Sequence, residues 1–183
     1  MLFRSNNSNS ISAFKSSYII VQPSPGKGIP FSESFENFSF STEQYWQIIN
    51  PDKSNTWEKV ANTGYTGSSS LMITNSSGNE LGRVDELISP AIDLSDLESM
   101  EMSFKVAFAQ KVDTTADVLR LYVSADCGAT WALRFVESNT DLSTVPTQTS
   151  PFTPTSINDW QEFTITNIDN YFYTEDFRFK FMF

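Results

Sequence analysis

The chain has 183 residues, a formal net charge of −10, 16 phenylalanines, one cysteine and no histidine. Its length suits one domain with a full hydrophobic core, and its acidic balance without clustered Lys or Arg argues against a nucleic-acid partner and leaves no basic patch for a membrane surface. Without histidine there is no Ser-His-Asp triad, Cys-His dyad or HExxH zinc site, and a lone Cys127 excludes an internal disulfide and a cysteine-rich zinc site.

Residues 5–10, SNNSNS, are polar and turn-forming, and residues 14–22, FKSSYIIVQ, read as a strand rich in β-branched and aromatic side chains. The run PSPGKGIP at 23–30 breaks both helix and sheet and reads as a linker. A strand before a linker looks like the end of a preceding module, so residues 1–22 are assigned to that module, 23–30 to the linker and 31–183 to the main domain. No apolar run reaches the length of a membrane span, and MLFRSNNSNS lacks a signal-peptide core, so export would use a signal upstream.

From Phe31 the texture changes. FSESFENFSF sets four phenylalanines among small polar residues and carboxylates, and Trp46 and Ile48 alternate like a strand before the turn NPDKSN and Trp57. A turn at 65–70 leads into LMIT at 71–74, a short strand. Residues 83–94, RVDELISPAIDL, read as an edge-type strand interrupted at Pro90, because proline cannot donate to a central ladder.

Alternation is clearest next. MSFKVAFAQ at 102–110 places Phe104, Val106 and Phe108 on one face with Lys105 pointing away, and the strand at 118–123 does the same with Leu119, Leu121 and Val123. After a polar turn, either Trp131, Leu133 and Phe135 or the offset set Ala132, Arg134 and Val136 continues the hairpin inward. A Thr-, Ser- and Pro-rich loop spans 138–158, and strands follow at 160–168 and 177–183. Short strands separated by turns predict an all-β, antiparallel two-sheet β-sandwich.

Several phrases in order carry a family resemblance: PFSESFEN at 30–37, Trp46, Trp57, DELISPAIDLS at 85–95, LESMEMSFKVAF at 97–108, SADCGATW at 124–131, and the late FTP with Trp160. Together they resemble the MAM-like jelly-roll modules, of choice-of-anchor or cleaved-adhesin type, of bacterial secreted and surface proteins. The strand at 14–22 resembles the end of a PKD-type domain. The resemblance implies a jelly roll of MAM/concanavalin-like or galactose-binding-like form, found at the cell surface or secreted, often behind a metallopeptidase. It implies adhesion or contact with a glycan or surface protein; a glycan-processing or peptidase-associated enzyme fragment and a structural spacer are the alternatives. Lys105 stands where such modules carry an aspartate. The chain also stops at Phe183 without their closing acidic strand, so the sandwich is expected to lack its last strand. An exposed edge would then pair with residues 14–22, either of the same molecule or of a neighbour, by strand exchange or in a homodimer.

Three groups of candidate site residues follow. Ser124, Asp126, Gly128, Thr130 and Trp131 match the aspartate-box pattern S-x-D-x-G-x-T-W, in which side chains bond turn backbone and glycine takes a positive φ. That turn reads first as a structural hairpin and only second as a ligand site. By resemblance, Glu36 and Asp85 would line a structural Ca²⁺ site; solvated surface charges are the alternative reading. Trp46, Trp57 and Tyr65 are the ligand-stacking candidates, with Trp131 and Trp160 beside them, although aromatics in a β-sandwich more often belong to the core and an exposed pair is what would mark a site. The search for a binding surface therefore centres on the loops around Trp46, Tyr65 and 138–158.

Overall fold

A computed structural model of the chain describes residues 21–40, 45–74, 82, 84–111 and 117–183. Nine strands appear among them: β1 (Gln47–Ile49), β2 (Glu58–Ala61), β3 (Ser69–Met72), β4 (Glu86–Ile88), β5 (Met102–Val106), β6 (Val118–Ser124), β7 (Ala132–Ser138), β8 (Gln161–Ile165) and β9 (Arg178–Met182). A single helical turn, α1 (Asn139–Leu142), is the only α-helix among the described residues. The fold is an antiparallel β-sandwich.

One layer is a five-stranded sheet in the order β1-β4-β9-β6-β7. Two antiparallel pairs, β5–β8 and β2–β3, stand apart from it, and Phe104 of β5 and Phe163 of β8 meet Phe135 of the large sheet at ring-centroid distances of 5.3 and 4.9 Å. Leu71 of β3 and Trp57, just before β2, pack on the same core. Alternation in β6 puts Leu119, Leu121 and Val123 inside, at 6, 0 and 0 % exposure. Each such side chain contributes about 1.5–3 kcal/mol by leaving water.

β9 is the centre of the large sheet. Phe179 and Phe181 of this strand, with Phe177 just before it, face the core, and Arg178 and Lys180 lie on the opposite face. Both charges are satisfied there. Arg178 Nε and Nη2 donate to the Ser89 carbonyl at 2.8 and 2.6 Å, and Lys180 Nζ donates to Glu86 Oε1 at 2.7 Å beneath the Trp131 ring. Burial lowers the pKa of the Arg178 guanidinium.

Four expectations change. The segment around Pro90 is not an edge: β4 pairs with β1 on one side and β9 on the other, and Pro90 falls two residues after the strand ends. The hairpin's inward set is neither of the two simple alternations. A register shift between Leu121 and Tyr122 leaves Arg134 as an extra residue, so Ala132 and Phe135 face inward while Leu133 and Val136 stay exposed. The loop at 138–158 begins with α1, whose Leu142 is fully buried.

The fourth change concerns 23–30. Its prolines lack N–H groups, yet the residues between them supply theirs: Gly26 N donates to Glu175 O at 2.9 Å and Lys27 N to Ala91 O at 2.8 Å. Lys27 also forms a parallel bridge with Ile92, so the run lies on the sandwich as part of it. The strand expected at 14–22 lies outside the described residues except for its last two. Of these, Gln22 accepts from Ala91 N and donates to Tyr45 O.

Candidate functional site

The turn between β2 and β3 forms one wall of a polar cleft. Asn62 has φ 60°, a left-handed conformation that asparagine tolerates better than most residues, and Thr63 N donates to Ser68 O at 3.1 Å to close the turn. Glu36, reaching across from the chain before β1, pins this turn. Its Oε1 accepts from Ser68 N at 2.8 Å and Ser69 N at 2.7 Å, and its Oε2 accepts from the Ser68 hydroxyl at 3.0 Å. Those donors hold the Glu36 carboxyl below its ordinary pKa, the Ser68 backbone bond being the largest cause. Gly67, at φ 79°, is required by the same contact, since a Cβ there would meet Glu36 Oε1 at 2.6 Å.

The opposite wall is the end of the long loop before β8. Thr144 stitches this loop to the end of β5: its N–H donates to Phe108 O at 2.9 Å, and its hydroxyl donates to Asp159 O at 2.7 Å. Residues Ile157–Asp159 form a 3-10 turn with a capping box. Asp159 Oδ2 accepts from Thr155 N at 2.7 Å and Ser156 N at 2.9 Å, while Ser156 Oγ accepts from Asn158 N at 3.2 Å. The bond from Thr155 N is the main reason the Asp159 carboxyl also lies below its ordinary value. Each wall is thus fixed by one carboxylate spent on its own backbone.

Between the walls lies a cleft of about 140 Å³. Asn62, Thr63 and the two glycines Gly64 and Gly67 line one side; Thr155, Ser156, Ile157 and Trp160 line the other with Pro154. Trp160 meets Tyr65 edge-on, with centroids 6.5 Å apart, and Lys105 Nζ sits 4.7 Å from the Tyr65 ring centre. Lys105 is itself paired with Glu162, whose carboxyl that bond holds below its ordinary pKa. Hydroxyls, an amide, open backbone and an indole thus converge with no charged side chain among the described lining residues. Chemically, that set suits a neutral polar group with one apolar face.

A second cavity, about 240 Å³, lies among Ile29, Phe31, Ile92, Leu97, Met100 and Phe177, with Glu101 as its one charged lining residue. It is larger and also opens to the surface, where Ile29 is exposed, but its lining is almost wholly apolar and offers few directional groups. The smaller cleft has the chemistry of a recognition site.

The residues singled out from sequence scatter. Trp46 is 4 % exposed, with Phe35, Phe38 and Phe179 around it at 5.8–6.0 Å, so its ring offers no face to a ligand. Trp57 is half-buried against the core. Tyr65 alone of those three sits beside the cleft, next to Trp160. Glu36 and Asp85 are not brought together: Glu36 holds the β2–β3 turn, whereas Asp85, buried, exchanges backbone bonds with Phe183 at 3.0 and 3.1 Å. Among the described residues no group of three or more Cys, Asp or Glu side chains gathers in metal-binding geometry.

Ser124, Asp126, Gly128, Thr130 and Trp131 form a closed hydrogen-bonded turn. Ser124 Oγ donates to Asp126 Oδ1 and accepts from Gly128 N at 2.8 Å, and Asp126 accepts from Thr130 N at 2.8 Å and the Thr130 hydroxyl at 2.7 Å. The Thr130 backbone bond leads in lowering the Asp126 pKa. Gly128 has φ 93°, and a Cβ there would press on the Trp131 ring at 3.0 Å. Every polar group of the motif that these bonds engage faces the turn itself. Asn62, Thr63, Ser156 and Asp159 were not anticipated, although Ser156 and Asp159 stand at capping-box spacing in the sequence.

No protein-family model matches the chain, and no curated protein matches it. Among solved structures it is similar to the K1 cleaved adhesin domain of Lys-gingipain from Porphyromonas gingivalis W83, at 19% identity and TM-score 0.52 over 82% of this chain and 85% of that one. The K2 cleaved adhesin domain of Lys-gingipain gives 16% and 0.52, over 83% and 87%. The K3 domain of the same Porphyromonas gingivalis protein gives 19% and 0.51, over 84% and 87%. At these identities the likeness concerns the fold.

Proposed function

We propose that this chain is a non-catalytic adhesive module that contacts a glycan through the cleft between the β2–β3 turn and the loop before β8. The observation that carries the reading is the cleft's lining: uncharged hydrogen-bonding groups beside the Trp160 indole, on walls held rigid by Glu36 and Asp159. A sugar presents hydroxyls at its edge and C–H groups on its face, and such a surface matches both. The cleaved adhesin domains that share the fold lend support, since adhesion is what their name states. An adhesive role puts the module outside the cell, as part of a larger secreted or surface protein. Among the described residues no helix is long and apolar enough to cross a membrane.

The glycosidase alternative fares worse on chemistry. A general acid for glycoside cleavage needs a raised carboxyl pKa. Glu36, Asp159 and Glu162, the carboxylates around the cleft, are all lowered by the bonds they accept. Glycan-array binding of the 183-residue chain, beside Trp160→Ala and Tyr65→Ala, tests the proposal. The expected result is binding by the wild type that falls at least tenfold in Trp160→Ala, because truncating an aromatic anchor at the centre of a contact costs about 2 kcal/mol, and tenfold is about 1.4 kcal/mol. Undiminished binding in Trp160→Ala would remove the cleft from the proposal.

A further inference from the structure

We infer that the cleft takes a single neutral pyranose ring, so that one uncharged sugar unit carries the recognition. This rests on the glycan-contact reading and narrows it. Size is the first ground. At about 140 Å³ the cleft is less than half the ~300 Å³ at which pockets for drug-sized ligands begin, which leaves room for one ring and not for a run of them.

Charge is the second ground. An anionic sugar such as sialic acid or a uronic acid needs a cation or a cluster of free N–H donors. The nearby cations are committed: Lys105 to Glu162 and the Tyr65 ring, Lys59 to the Glu36 carbonyl at 2.7 Å. The turn amides at Ser68, Ser69, Thr155 and Ser156 that might have bound a carboxylate are already taken by Glu36 and Asp159. Two internal anions thus occupy the places a ligand anion would seek, and the chain's charge of −10 repels a third. A cationic sugar finds no carboxylate among the described lining residues, and Glu36 and Asp159 are engaged by the turns they hold.

Shape is the third ground. The half-buried Trp160, with the 57 % exposed Ile157 beside it, gives an apolar strip for the C–H face of one ring, while Asn62, Thr63 and Ser156 supply donors and acceptors for its hydroxyls.

The test is an NMR titration of the full chain with methyl glycosides of neutral hexoses and N-acetylhexosamines, set beside sialic acid, glucuronic acid and neutral oligosaccharides. The expected result is saturable shifts at 62–67 and 155–160 for at least one neutral glycoside, with the anionic sugars at least tenfold weaker. Ile157→Glu, on the exposed rim, should abolish those shifts without lowering Tm. If only oligosaccharides bind at these residues, or anionic sugars bind as tightly, the inference fails while glycan contact at the cleft stands. If no glycan binds, both fail together.

Discussion

Glu36 and Asp159 show how little a residue's type says about its task. Both are acids near loops, and the sequence offered Glu36 as a calcium ligand, yet its carboxylate accepts three hydrogen bonds from the turn it organises. That role depends on Ser68 and Ser69, more than thirty residues away, and no local pattern announces it. Asp159 was legible in principle, because Ser156-x-x-Asp159 spells a capping box. Trp46 and Tyr65 looked alike in sequence and differ only through what the fold stacks on them. For both carboxyls the folded-state pKa lies below the ordinary value. Their stabilising contribution is therefore fully present above the unfolded carboxyl range of ~4 and is lost as pH falls through the lowered values. Glycan binding should accordingly be flat from neutral pH down to about 5 and weaken below about 4, whereas Glu36→Gln with Asp159→Asn, whose amides do not titrate, should lose that acid limb and bind more weakly at every pH. A pH series of binding on wild type and double variant checks this; an unchanged limb would free both residues from the role.

Among the elements, the β6–β7 hairpin was the most readable. Its apolar alternation and the S-x-D-x-G-x-T-W turn are both local, and the turn's bonds connect residues within six positions of each other. What the pattern did not reveal was the bulge at Arg134. That residue's guanidinium lies 4.5 Å from the Phe172 ring, a contact across the fold that no alternation encodes. β2 escaped notice because EKVA has only one strongly apolar residue, and β4 looked like an edge because Pro90 was counted within it. Ser124→Ala strips the acceptor from Gly128 N in a residue 1 % exposed and should cost about 1–3 kcal/mol by chemical denaturation. Arg178→Met leaves the buried Ser89 carbonyl without its two guanidinium donors and should cost about 2 kcal/mol. A loss below ~0.5 kcal/mol in either would show that the bond is made equally well to water.

At the scale of the whole molecule, the sandwich is joined by a chain of aromatic rings. Phe40, Phe38 and Trp46 run into Phe179 at 4.6–6.0 Å, Phe179 meets Phe181 at 5.8 Å, and Phe181 meets Phe104 at 4.9 Å. Short alternating strands separated by regular turns made an all-β sandwich legible from the sequence pattern. The strand order was not, because β9 enters between β4 and β6 from the far end of the chain, and only packing decides that. Leu121→Ala, at a fully buried position in the middle of the large sheet, should cost about 3 kcal/mol and lower Tm by roughly 10 °C. The cleft lies in loops carried by β2, β3 and β8, away from Leu121, so binding measured below the lowered Tm should persist in that variant.

The function proposed here turns on the cleft, and the most direct measurement is where a bound glycan sits. Amide shifts of the full chain, titrated with its strongest array ligand, should move at 62–67 and 155–160 and at the indole of Trp160. Shifts confined instead to the outer face of the large sheet, around Ile49, Leu133 and Val136, would contradict the assignment of the site.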